Sequence, residues 1–284
     1  MATLLSKQKV FEGFLCKYTH ESASLKCTMK FNVFIPPQYL NSTQPRPALL
    51  FLSGLTCTED NFMQKAGALS HAAKLGLTLI TPDTSPRGVQ ISGQDDSWDF
   101  GSGAGFYVDA TVAPWSAHYN MYTYILHELL PMISTLLYVD LKRVSVCGHS
   151  MGGHGALMMF LRNPELFCSV STFAPICHPM QCAWGRKAFG GYLGEDEEHW
   201  KQYDATWLAQ NYQGPTTTIF VDQGLDDTFL KDGKLLPDAF ITACQKNEKL
   251  KVEYRPREGY DHGYYYISTF IQEHLVFHGK HLSL

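Results

Sequence analysis

An excess of positive charge is missing from this chain: 23 Lys and Arg stand against 27 Asp and Glu, a formal net charge of −4. Such a surface does not gather a polyanion, so nucleic acid is not an expected partner. Cysteine is sparse, eight in 284 residues, scattered at positions 16, 27, 57, 147, 168, 177, 182 and 244. That is about a third of the roughly 8–10% that marks a disulfide scaffold, so free thiols are expected. No apolar run approaches the roughly 18 residues of a membrane span. The most aliphatic stretch, 121–139, is broken by His127, Glu128 and Pro131, and no membrane partner is expected. The opening segment MATLLSKQKVFEGFL has no apolar secretory region with a small-residue cleavage site. A reducing, cytoplasmic compartment is therefore the expectation. Repeats, charge blocks and low-complexity linkers are lacking too, which favours one domain over residues 1–284.

What the chain does have is rhythm. Residues 25–35 alternate as a strand should, and 36–47 are rich in turn residues. Short runs rich in branched apolar residues follow at 48–52, 77–81, 143–147, 169–174, 217–222 and 250–254, the pattern of strands buried on both faces. Helical spacing fills 60–75, 118–137, 151–162, 232–247 and 264–278. The alternation predicts an α/β fold with a mostly parallel central sheet and helices on both faces. Ligands of such sheets sit beyond the carboxyl ends of the strands. Residues 82–117 hold no period but carry several Gly and aromatic residues. A segment of that length without regular structure is usually a functional loop, and it is expected to line a pocket.

Gly148-His149-Ser150-Met151-Gly152 fits G-x-S-x-G, between a candidate buried strand and a candidate helix. That context predicts a nucleophile elbow, with Ser150 at a strained tip and the glycines leaving room for strand and helix to pass. A serine hydroxyl needs an adjacent base, and in this arrangement the chain order is Ser, acid, His. His262, in the loop after strand 250–254, is the expected base. His274, His278 and His281 belong to or follow the last helix. His149 and His154 lie too close in sequence to Ser150 to serve it. For the acid, Asp222, Asp226, Asp227 and Asp232 crowd one loop, and spacing does not choose among them. The Met151 amide, next to the nucleophile, is an expected oxyanion donor. The second donor is expected from the loop Ser53–Thr58.

Five blocks together, SGLTCTEDNF (53–62), TPDTSPRG (81–88), SWDFGSGAGFYVDAT (97–111), GHSMGGHGAL (148–157) and EGYDH (258–262), resemble the S-formylglutathione hydrolase family, also called esterase D, over essentially the whole chain. The resemblance implies an α/β-hydrolase fold and cleavage of S-formylglutathione to formate and glutathione, with side activity on short-chain esters. It implies a homodimer and no cofactor. By resemblance the triad falls on Ser150, Asp227 and His262, and the oxyanion amides on Leu55 and Met151. Cys57 matches a thiol near the family's active site, and Trp184 lies in a further similar block. Cys57, Trp98, His149 and Trp184 are the expected pocket residues. The other readings are a general carboxylesterase or acyltransferase on the same scaffold, and a non-catalytic binding module. No metal is expected: Cys177–Cys182 lacks a second ligand pair, and His127-Glu128-Leu129-Leu130-Pro131 lacks the second His of a zinc-binding helix.

Overall fold

Most of the branched apolar runs become the middle of a sheet, where both faces of a strand are covered; the run 250–254, expected to be buried on both faces, instead forms an edge strand that is only partly buried, since it has a neighbour on one side alone. The computed structural model describes residues 2–284. Its strands are β1 (Thr3–Val10), β2 (Gly13–Ser22), β3 (Cys27–Ile35), β4 (Arg46–Leu52), β5 (Thr78–Pro82), β6 (Val139–His149), β7 (Val170–Phe173), β8 (Thr217–Gly224) and β9 (Leu250–Arg257). They form one nine-stranded sheet in the order β1-β2-β3-β5-β4-β6-β7-β8-β9. From β5 to β9 neighbours run parallel; β1, β2, β3 and β5 pair antiparallel. All seven residues of β4 and all four of β7 are buried, as expected of parallel strands with helices on both faces.

Two strands escape the sequence pattern. β1 is exposed along nearly its whole length, so it shows no buried face. β2 does alternate, but two of its inward residues are polar: His20 lies 3.0 Å from the Tyr124 hydroxyl, and Ser22 donates to Glu128 at 2.9 Å. The helices differ as well. The 60–75 stretch splits into Asp60–Lys65 and Ala68–Leu75 around Gly67, whose φ is +66°. The 118–137 stretch starts at Met121 and widens into a π-helical turn, Tyr124–Leu129, just before Pro131. The 232–247 stretch is helical only over Pro237–Gln245, and a short helix, Thr228–Lys231, precedes it. Helix Ala183–Leu193, carrying Trp184, was not anticipated.

Helix Met151–Arg162 follows β6 at once, and its residues 151–161 are all buried. A helix apolar on every side belongs in a core. Residues 82–117 contain only a short 3₁₀ turn and isolated bridges, yet Ala104, Phe106, Tyr107 and Val108 are fully buried. This segment is thus a packed loop. Its Tyr107 hydroxyl donates to the Ser53 carbonyl at 2.8 Å, and Gly103 accepts from the Thr56 amide at 2.9 Å. It braces the loop that follows β4.

Candidate active site

The turn from β6 into its helix is sharp enough to strain Ser150, which has φ 58° and ψ −119°. This region is unfavourable for a residue with a Cβ and is tolerated where the surroundings enforce it. The glycines on either side explain how the turn closes. A Cβ on Gly148 would come within 2.0 Å of the Gly152 carbonyl oxygen, and one on Gly152 within 1.9 Å of the Leu52 oxygen. The Ser150 amide donates to Phe173 O on β7 at 3.0 Å. Ser150 is therefore anchored to β7, the strand beside β6, at the carboxyl end of the sheet.

Of the four aspartates near the end of β8, Asp227 alone meets His262. Its Oδ2 lies 2.5 Å from His262 Nδ1. Its Oδ1 caps the next helix, accepting the Phe229 amide at 2.8 Å and the Leu230 amide at 3.4 Å. Burial alone would raise the Asp227 carboxyl. The hydrogen bond and charge of His262, with the two amides, outweigh it and hold Asp227 below the ordinary carboxylate range. Asp226 is exposed and pairs with Lys231 at 2.9 Å, and Asp232 pairs with Lys234 at 3.3 Å. Asp222 is spent on Arg257 at 2.6 Å and the Tyr266 hydroxyl at 2.6 Å.

Ser150 and His262 line one cavity of about 190 Å³, together with Gly54, Leu55, Thr56, Cys57, Trp98, His149, Trp184 and Phe229. Seven of the nine residues predicted from sequence border this space, namely Ser150, His262, Leu55, Cys57, Trp98, His149 and Trp184; Asp227 stands behind the His262 ring, and Met151 follows Ser150 at the start of the helix. Neither the Leu55 nor the Met151 amide has a hydrogen-bond acceptor among the described residues, which leaves both free for an oxyanion. A Cβ on Gly54 would meet Ser150 Cβ at 3.1 Å, so a glycine lets the donor loop approach the serine closely. Phe229, which sequence reasoning did not single out, stands edge-on to His262 with ring centroids 4.8 Å apart. From it an aromatic wall runs to Trp184 (4.7 Å) and on to Trp98 (5.6 Å). Trp98 remains about half exposed at the mouth.

His149 is buried and its Nε2 lies 3.0 Å from the His262 carbonyl oxygen. A carbonyl only accepts, so Nε2 carries the proton. Burial, then the neighbouring His262, push His149 well below the ordinary imidazole range and keep it neutral. His154 points elsewhere, to Phe106 O at 2.9 Å. Burial raises the Cys57 thiol, so it stands in the cavity protonated rather than as a thiolate.

A second gathering of serine, histidine and aspartate lies under the sheet. Ser171 Oγ is 2.7 Å from His278 Nε2 and 2.8 Å from His274 Nδ1, and His274 Nε2 is 3.7 Å from Asp222 Oδ2. All four side chains have no exposed surface. This cluster fastens the C-terminal helix, Tyr264–His281, to β7 and β8. It has no opening through which a substrate could arrive. Among the described residues no group of three or more His, Cys, Asp or Glu is arranged to hold a metal ion.

A strained serine, a histidine facing the same cavity and a buried carboxylate behind it, at the carboxyl end of a mostly parallel sheet, define the class: a serine hydrolase of the α/β-hydrolase fold. The model of the family described as "Putative esterase" matches residues 22–277. The chain is 53% identical to rat (Rattus norvegicus) S-formylglutathione hydrolase over 279 residues, 98% of each chain. It is 46% identical to the Arabidopsis thaliana S-formylglutathione hydrolase over 282 residues, 99% of this chain and 98% of that one. A solved S-formylglutathione hydrolase from Agrobacterium tumefaciens superimposes with a TM-score of 0.94 at 42% identity, covering 99% of both chains. The chain belongs to the S-formylglutathione hydrolase family.

Proposed function

We propose that this enzyme hydrolyses S-formylglutathione to formate and glutathione, with short-chain esters as side substrates. The observation that carries the mechanism is the 2.5 Å contact between Asp227 and His262 beside the cavity that holds Ser150. Asp227 accepts the Nδ1 proton, so Nε2 presents a lone pair to the cavity. His262 takes the Ser150 proton as Oγ attacks the formyl carbon, while the Leu55 and Met151 amides receive the oxyanion. The C–S bond then breaks. A thiol of ordinary pKa about 8.5 is a good leaving group, and His262 returns the proton to it. Water, deprotonated by His262, attacks the formyl-serine; formate leaves and Ser150 recovers its proton.

The small cavity supports a short acyl group, and the wall formed by Trp98, Trp184 and Phe229 is its size limit. The continuous nine-stranded sheet supports reading residues 1–284 as one domain. Family resemblance supports a homodimer acting in the cytoplasm without a cofactor. No helix among the described residues is long and apolar enough to cross a membrane. The decisive experiment compares turnover of S-formylglutathione with that of 4-nitrophenyl acetate by the purified chain. The proposal expects thioester turnover, with fluorophosphonate labelling lost in Ser150→Ala. Ester turnover with negligible thioester turnover would favour a general carboxylesterase and reject the proposed substrate.

A further inference from the structure

A cavity of about 190 Å³ holds a thioester and a small acyl group, but the peptide of the leaving thiol must lie outside it. The wall between Cys57 and His149 leads to such a place. Tyr264 stands there, its hydroxyl 4.0 Å from Cys57 Sγ and its ring 6.1 Å from that of His149. Beyond Tyr264 opens a larger cleft of about 480 Å³, lined by Lys65, Tyr264 and Tyr265. Tyr265 is 91% exposed, a large aromatic surface left in water at the edge of the site.

The charges single out Lys65. The other cations near the catalytic cavity are already neutralised: Lys187 by Asp99, Lys231 by Asp226, Lys234 by Asp232, and Arg186 by Glu197. Lys65 has no carboxylate within 4 Å among the described residues; its ammonium lies over the Tyr264 ring, 5.7 Å from the centroid. We propose that Lys65, with Tyr264 and Tyr265, forms the subsite for the peptide portion of the leaving thiol, and that Lys65 pairs with its glycine carboxylate. This rests on the reading of S-formylglutathione as substrate. The glycine arm is the shorter one from the sulfur and ends in an uncompensated negative charge. The glutamyl carboxylate carries an ammonium on the same carbon, which a lysine would repel.

The test uses the full-length chain and its Lys65→Met, Lys65→Arg and Lys65→Glu variants. Substrates are S-formylglutathione, its analogue with the glycine carboxylate amidated, and 4-nitrophenyl acetate as the reference that normalises kcat/KM. An exposed pair contributes modestly, so Lys65→Met is expected to lower the normalised thioester kcat/KM about fivefold, through KM. Lys65→Glu should lower it further, and Lys65→Arg should restore most of it. Amidation should cost the parent enzyme a similar factor, and Lys65→Met should then cost nothing more. A normalised value unchanged in Lys65→Met, or an equal loss on the amidated substrate, would overturn the subsite while leaving the hydrolase reading intact. Failure of the parent enzyme to turn over S-formylglutathione at all would instead reject that reading.

Discussion

Replacing Asp227 by Asn changes one atom and reverses the polarity of the site. Oδ1 accepts two amides, those of Phe229 and Leu230, so an asparagine must keep its oxygen there and turn its NH₂ toward His262. Nδ1, now 2.5 Å from a donor instead of an acceptor, must give up its proton and accept. The ring is driven into the other tautomer, with a proton on Nε2 where Ser150 needs a lone pair. Gln223 Nε2, 3.3 Å from Oδ2, would also face a donor. Loss of the correct tautomer costs about 10⁴-fold in kcat, or about 5 kcal/mol of barrier. The fold should survive, since Asn caps helices about as well as Asp. The assay is steady-state hydrolysis of the formyl thioester and of 4-nitrophenyl acetate, with thermal unfolding as the control. Asp226→Asn, which touches only Lys231 at the surface, should stay within about twofold, since surface pairs contribute little. If Asp227→Asn kept more than a tenth of the parent kcat, or if Asp226→Asn were the more damaging change, the assigned acid would be wrong.

Two other predictions concern stability and selectivity. Burial lowers His154 to about 4, so the native state refuses a proton that the unfolded chain accepts below about 6.5. Stability is therefore lost as pH falls from about 6.5 towards 4, and this residue accounts for about 2 kcal/mol of that loss by pH 5. Urea unfolding at pH 8 and pH 5 should show a pH dependence smaller by about that amount in His154→Gln; equal dependence in both proteins would refute it. Trp98→Ala opens the aromatic wall at the mouth, and the ratio of kcat/KM for 4-nitrophenyl butyrate to that for the acetate should rise about tenfold, the effect of one or two methylenes in a fitted pocket. An unchanged ratio would remove Trp98 from the size limit.

Parts of this molecule are written locally and parts are not. The strands β4, β5 and β7 and the helix Met151–Arg162 stand out in sequence because burial on all sides demands apolar residues over a short span, whereas β9, at the sheet edge, is only partly buried. The elbow is legible for a related reason: Gly148 and Gly152 sit where any side chain would overlap backbone, so the crowding leaves a mark two residues either side of Ser150. His262 follows from chain order. β1 left no such mark because neither of its faces is covered, and β2 hid its inward face behind buried polar residues whose partners lie about a hundred positions away.

Spacing does not choose among four neighbouring aspartates, at the end of β8 and just after it, because they differ in what each meets; resemblance points to Asp227, and the structure shows its partner. The parallel pairing of β8 with β9 runs out to Gly224 and Arg257, and that register presents Asp227 to His262 while committing Asp222 to Arg257. Likewise nothing local ties Tyr107 to Ser53, or brings Phe229, Trp184 and Trp98 into one wall. Sequence by itself determined the α/β class and marked the candidate serine and its candidate base, since backbone crowding, strand burial and chain order constrain residue type at those positions. Family resemblance points to Asp227; only the tertiary structure shows what each aspartate meets, sets Phe229 into the cavity wall and braces the loop after β4, because those depend on which distant segments the sheet order sets side by side.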